Sequence, residues 1–156
     1  MNILYNNSEH RFRAGIRVLV FLVISILFIR PSSLISISWV ASLSISLGCF
    51  LAAFLVVKGM DKRPVSSIGL EHSKIWWIEF GFGVFIAFLA QTIIFSIEYG
   101  FSWLEISGYG WERAGVEIWA WSAFTYFLTM LSVGFYEELL FRGYPIKNLA
   151  EGFTIG

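Results

Sequence analysis

The stretch WWIEFGFGVFIAFLAQTIIFSI, residues 76–97, carries Glu79 as its single charged residue. A helix that crosses a bilayer needs about 20 mostly apolar residues, at a rise of ~1.5 Å per residue. Gln91 and Thr92 lie near the middle of the stretch, where such side chains commonly hydrogen-bond to a neighbouring helix. The segment therefore predicts a membrane-spanning helix.

Three further segments have the same character. The composition agrees, with 57% hydrophobic and 14% charged residues. The sequence predicts an all-α, polytopic helical membrane protein that forms a single membrane domain over residues 1–156. The four predicted helices cover residues 14–29, 34–57, 76–97 and 118–143.

The first segment allows two interpretations. Arg17 lies near its start, where a long side chain can reach back to the lipid headgroups. The clean apolar part, Val18–Ile29, also fits the core of a signal peptide. The following IRPSSLIS, residues 29–36, offers no small-x-small cleavage site, which favours a retained helix.

Lysine and arginine counts predict that both chain ends face the cytoplasm, because cytoplasmic loops are enriched in these residues. Arg11, Arg13 and Arg17 lie at the N-terminal end, and the link between the second and third helices is basic and interpreted as a solvated loop. Its basic residues are Lys58, Lys62, Arg63 and Lys74.

The second segment carries Ser38, Ser42 and Ser46 at every fourth position, a small-residue face for close helix packing.

Several functional classes are not favoured. Eleven Lys and Arg balance eleven Asp and Glu, so no nucleic-acid partner is indicated. Cys49 is the single cysteine, which gives neither a disulfide nor a thiolate metal site. His10 and His72 are far apart in charged stretches and do not resemble membrane metal ligands.

The stretch YEELLFRGY, residues 136–144, places three charges among large apolar side chains. Glu138 and Arg142 are four positions apart on a helix and can pair. Glu137 projects about 100° away from Glu138 and is left without a local partner. A partly desolvated Glu137 would hold its proton more tightly and suit a general base near neutral pH.

The depth of these charges leaves a structural alternative open. If the fourth helix enters the membrane from outside near residue 118, the three charges lie roughly 27 Å further along the helix axis, near the inner interface. Ionisable residues at membrane depth indicate function by default, whereas interfacial charges cost little. A snorkelling, structural trio and a buried site remain equally compatible with the position.

EELLFRGY, residues 137–144, resembles the Glu-Glu-x-x-x-Arg motif of the CPBP intramembrane protease family, which includes type II CAAX prenyl endopeptidases and the Abi proteins linked to bacteriocin processing and immunity. DKRPVSSIGL, residues 61–70, is similar to the segment before the third helix in that family. The resemblance covers residues 61–151.

The resemblance implies a helical fold of about eight spans that hydrolyses a peptide bond at the membrane. Glu137 matches the glutamate that activates water, Glu138 the second motif glutamate and Arg142 the motif arginine. The family places histidines on later helices, where they bind or orient the water with a divalent metal such as zinc. The implied partners are the bilayer and a peptide or protein substrate, with a prenylated tail as one option.

The sequence departs from this pattern because no histidine follows Glu137. Three protein ligands and a water normally complete a catalytic zinc site. We therefore expect histidine ligands beyond Gly156, in a missing C-terminal half, and no activity or metal binding by these residues alone. The expected location is integral and multi-pass, in the plasma membrane if the source is bacterial.

Two other functions stay open. One is a non-catalytic membrane immunity or scaffold protein that kept the fold. The other is a fragment of a proton-relay transporter with Glu137 as the carrier site. For Arg142 we expect substitution to lower the folded amount, because it leaves Glu138 unpaired.

Overall fold

The computed structural model describes residues 5–6, 11–70 and 73–153, and within them the protein is helical. The described elements comprise a short ladder of β1 with β2, six α-helices and three tighter or wider helical turns. The strands are β1 (Tyr5–Asn6) and β2 (Arg11–Phe12), and the helices are α1 (Ala14–Ser32), α2 (Ser38–Val56), α3 (Lys74–Gly100), α4 (Gly110–Ala114), α5 (Val116–Glu137) and α6 (Pro145–Phe153).

Four helical stretches in the described residues are long and apolar enough to cross a membrane. They are Ala14–Ser32, Ser38–Asp61, Lys74–Gly100 and Val116–Glu151. This confirms the prediction of an all-α helical protein with four apolar helices of spanning length. The direction in which the helices cross, with both ends cytoplasmic, stays a prediction.

Two of these stretches change their winding near their ends. A π-helical turn, Val57–Asp61, continues α2, and a second, Glu138–Gly143, continues α5. A π-turn is rare and is found frequently at functional sites. Neither turn is predicted by the hydropathy of the sequence. A 3₁₀ turn, Val65–Ile68, follows the first of them in the link to α3.

The chain divides into two compact units. The first contains Met1–Leu70 together with Ala123–Gly156, and the second contains Glu71–Ser122. In the first unit α1 packs along α2 and against α6, and the turn that follows α5 contacts α2 and α6. The buried apolar core lies in this unit and consists of Val18, Phe21, Cys49, Ala52, Ala53, Val56, Val57, Ile68, Leu139, Leu140 and Tyr144.

The second unit contains α3, α4 and the start of α5. Ser73 begins α3, since its side-chain oxygen accepts a hydrogen bond from the backbone N–H of Trp76 at 3.1 Å. No residue of α3 is buried in the described structure. Trp111 and Trp119 meet edge to face at 5.4 Å between ring centroids.

The small-residue face of α2 is buried at one end. Ser46 is buried and its hydroxyl donates to the carbonyl oxygen of Ser132 on α5 at 2.8 Å. Ser38, at the other end, is exposed. The buried face continues through Gly48, Cys49 and the alanines that follow rather than through the earlier serines.

Gly48 sets how closely α1 and α2 approach. A Cβ atom added at Gly48 would lie 2.4 Å from the Cβ of Phe28 on α1. That distance is too short for two carbon atoms, so the helices would have to separate. Small residues at such crossings allow close backbone approach in membrane proteins.

We expect Gly48→Ala to lower the free energy of unfolding by about 1–3 kcal/mol, as overpacking of a tight contact does. Thermal unfolding in a mild detergent measures the effect. Gly134→Ala is the matched control, because a Cβ at Gly134 in α5 meets nothing within 4 Å. An equal loss in both variants would contradict a specific crossing at Gly48.

Candidate functional site

The three predicted site residues lie at the end of α5, in a segment we call the motif turn, residues 137–143. Glu137 is the last residue of α5, and Glu138 and Arg142 lie in the π-turn that follows. Leu139 and Leu140 of the same turn are buried in the core. The apolar residues of the motif therefore anchor the turn, while its charged residues project from it.

Glu138 and Arg142 form the ion pair that their spacing predicts. The Arg142 Nη1 group donates to the Glu138 Oε2 atom at 3.3 Å. Both side chains are exposed, at 60% for Glu138 and 73% for Arg142. The prediction of a pair is confirmed.

Glu137 differs from its neighbour. Its side chain makes no hydrogen bond or ion pair with any residue that the structure describes, and it is exposed. This agrees with the prediction that Glu137 lacks a local partner. The described residues do not bury Glu137, and its partial desolvation stays a prediction. The helix end leaves the carboxylate projecting, and none of the described segments covers it.

The exposure of the Glu138–Arg142 pair changes what substitution of Arg142 should do. An exposed i,i+4 pair contributes about 0.3–0.5 kcal/mol. We therefore expect Arg142→Gln to change the free energy of unfolding by no more than about 0.5 kcal/mol, and not to lower the folded amount. Thermal unfolding beside Arg30→Gln, another exposed arginine, measures this. A much larger loss for Arg142→Gln would show that the pair is covered.

The loop before α3 packs directly on the motif turn. A Cβ added at Gly143 would lie 3.2 Å from the backbone oxygen of Ile68, so glycine permits this close approach. Ile68 itself is buried in the core. The Lys147 ammonium on α6 donates to the carbonyl oxygen of Ser67 in the same loop. The predicted family segment, residues 61–70, and the predicted motif are thus neighbours in space.

A second group of charged and polar side chains is buried or partly buried. We call it the ionic cluster: Arg17, Asp61, Arg63, Asn148 and Glu151. Arg17 donates to the Asp61 Oδ1 atom, with side-chain exposures of 2% and 1%. The Arg17 Nη2 atom also lies 3.8 Å from the Glu151 Oε2 atom.

Arg63 completes the ionic cluster from the loop. It donates to both carboxylate oxygens of Glu151, at 3.0 Å for the Nη2 to Oε2 bond. Its Nη2 group also donates to the side-chain oxygen of Asn148 at 3.2 Å and lies 4.0 Å from Asp61. Bidentate arginine–carboxylate pairs are the stronger kind, and this one holds the loop against α6. Arg11 reaches the same Glu151 at 3.5 Å.

The ionic cluster corrects two expectations. Arg17 does not extend its side chain towards headgroups, because it is buried and paired with Asp61. The link after α2 is not a fully solvated loop, since Asp61 is buried and Arg63 is partly buried. The partners lie 44 and 88 positions apart in the chain, so periodicity could not reveal them. Asp61, Asn148 and Glu151 were not identified from the sequence.

The residues that the structure describes do not form a metal site by themselves. Across the described ranges, no group of three His, Cys, Asp or Glu side chains is placed to hold a metal ion. His10 and His72 lie outside the described residues. Glu137 and Glu138 alone lack the third protein ligand that a catalytic zinc site needs.

Comparisons with known proteins found no relative of this chain. No protein-family model, curated protein or solved structure matches this chain.

Proposed function

We propose that this chain provides the Glu-Glu-x-x-x-Arg part of an intramembrane endopeptidase that resembles the CPBP family. The observation that carries the proposal is the difference between two adjacent glutamates. Glu138 is paired with Arg142 at 3.3 Å, while Glu137 makes no hydrogen bond or ion pair with the described residues. An unpaired carboxylate at the end of a membrane-spanning helix is available to take a proton.

In this proposal Glu137 is the general base. Its carboxylate accepts a proton from a water molecule, and the oxygen of that water forms a bond to the scissile carbonyl carbon. The carbon–nitrogen bond then breaks, and the proton passes to the leaving amine. The paired Arg142 reduces the negative charge of Glu138, which would otherwise repel the developing oxyanion. No step here passes through a metal.

The proposal requires histidines after the motif, and none follows Glu137 in this sequence. Histidines that bind or orient the water, with or without zinc, must come from another segment or chain. The substrate is a peptide or protein that reaches the bilayer, with a prenylated tail as one option. The proposal also places both ends of the chain in the cytoplasm, and the protein in the plasma membrane if its source is bacterial.

One observation favours a non-catalytic scaffold or immunity protein instead. The most firmly held charges are those of the ionic cluster, whereas the motif carboxylates are exposed. A protein that kept its packing and lost its chemistry would show the same contrast. This second function predicts no cleavage of any membrane protein.

Labelling of new peptide N-termini in isolated membranes tests the proposal. Cells that carry the intact gene are compared with cells that lack it, and mass spectrometry identifies cleaved peptides. We expect N-termini near membrane-spanning segments that occur with the gene only and return when the gene is restored. Identical peptide sets in both cells would refute proteolysis and favour the scaffold.

A further inference from the structure

The motif turn is connected to the ionic cluster through the residue that follows it. Tyr144 comes directly after the motif turn and is fully buried. Its ring packs against Phe21 of α1, with 4.6 Å between the centroids. Its hydroxyl group is buried near Asp61, Arg17 and Arg63 and makes no hydrogen bond with the described residues. One buried side chain thus packs against the α1 core and lies near the ionic cluster.

Asn148 makes the second connection. Its side-chain oxygen accepts from Arg63 at 3.2 Å, and its side-chain nitrogen donates to the backbone oxygen of Tyr144 at 3.0 Å. Asn148 is 1% exposed, so water does not compete for these bonds. Because a buried amide needs its partners, this arrangement fixes the backbone at Tyr144 relative to the loop.

We propose that Asp61 and Asn148 are positioning residues that hold the motif turn in place through Tyr144. Asp61 pairs with the buried Arg17 and so fixes the end of α2 against α1. Asn148 transmits the position of Arg63 to the backbone at the end of the motif turn. Asp61 and Asn148 thereby fix the direction in which the carboxylates of Glu137 and Glu138 project. They touch neither carboxylate.

This inference concerns the placement of the motif turn and does not rest on the proposed proteolysis. It predicts that loss of either residue loosens the turn while the rest of the first unit stays ordered. A general loss of packing would instead loosen distant positions equally. A probe at the turn and a probe far from it therefore separate positioning from ordinary stability.

The experiment uses a nitroxide spin label in the native gene product, purified in lipid nanodiscs. Cys49 is first replaced by alanine, and Phe141→Cys or Leu27→Cys then provides one labelling site. Phe141 lies in the motif turn and is 66% exposed, and Leu27 lies on α1 and is 65% exposed. The two labels thus begin with similar exposure. Circular dichroism and size exclusion confirm that each variant is folded.

We expect Asn148→Leu to shift the spectrum of the label at residue 141 towards faster motion and to leave the label at residue 27 unchanged. Asp61→Asn should give the same shift, and Asp61→Glu should return the spectrum towards that of the parent. If Asp61→Asn does not fold, Asn148→Leu decides, because it leaves no buried charge unpaired. An unchanged label at residue 141, or equal shifts at both sites, would overturn the inference.

Discussion

Replacing Arg17 by methionine is expected to lower the free energy of unfolding by about 3–5 kcal/mol, the cost of removing one partner from a buried ion pair. The Asp61 side chain is 1% exposed and accepts its hydrogen bond from Arg17. The next cation, Arg63, is 4.0 Å away and is already bonded to Glu151. The carboxylate would remain buried with weak compensation. Thermal unfolding of the purified protein in detergent measures the loss.

Two variants control this measurement. Arg13→Met removes an exposed arginine one turn earlier and should change stability by no more than about 0.5 kcal/mol. The double variant Arg17→Met with Asp61→Leu removes both charges, and apolar replacement of a buried pair is often neutral or stabilising. We expect it to recover most of the loss. If the double variant is as unstable as Arg17→Met alone, an unpaired Asp61 is not the cause.

The contrast between Arg17 and Glu138 shows how far the sequence predicts this structure. The Glu138–Arg142 pair follows from local helix geometry, because side chains four positions apart lie on one face. The Arg17–Asp61 pair depends on how α1 and the end of α2 meet, and that contact joins residues 44 positions apart. Hydropathy places Arg17 and Glu138 near helix ends. It does not predict which residue each of them pairs with.

The winding of the helices does not follow from hydropathy either. Hydrophobic length identifies the four apolar helices, and it predicts the end of the fourth near residue 143. It cannot distinguish an α-helical from a π-helical turn at Glu138–Gly143, because hydropathy reports how apolar a segment is and not how it is wound. The serine pattern on α2 behaves similarly. It identifies Ser46, which is buried against α5, and does not reveal the contact of Gly48 with Phe28 on α1.

Glu137→Gln is expected to reduce peptide cleavage by the native gene product by about 10²–10⁴-fold, the contribution of a positioned general base. The amide keeps the size of the side chain but cannot take the proton from water. Because Glu137 is exposed and makes no ion pair with the described residues, the stability of the variant should be nearly that of the parent protein. Product formation from a peptide identified by N-terminal labelling gives the rate, and thermal unfolding confirms the fold.

Two carboxylates serve as controls for Glu137. Glu117→Gln, in the first turn of the same helix, is also exposed and should leave cleavage unchanged. Glu138→Gln removes the partner of Arg142 and should reduce cleavage less than Glu137→Gln, because the proton acceptor remains. A scaffold protein would be indifferent to all three substitutions. A proton relay would lose ion-coupled transport in Glu137→Gln with no change in any peptide. Equal activity of Glu137→Gln and the parent would therefore exclude Glu137 as the base, even if cleavage itself is real.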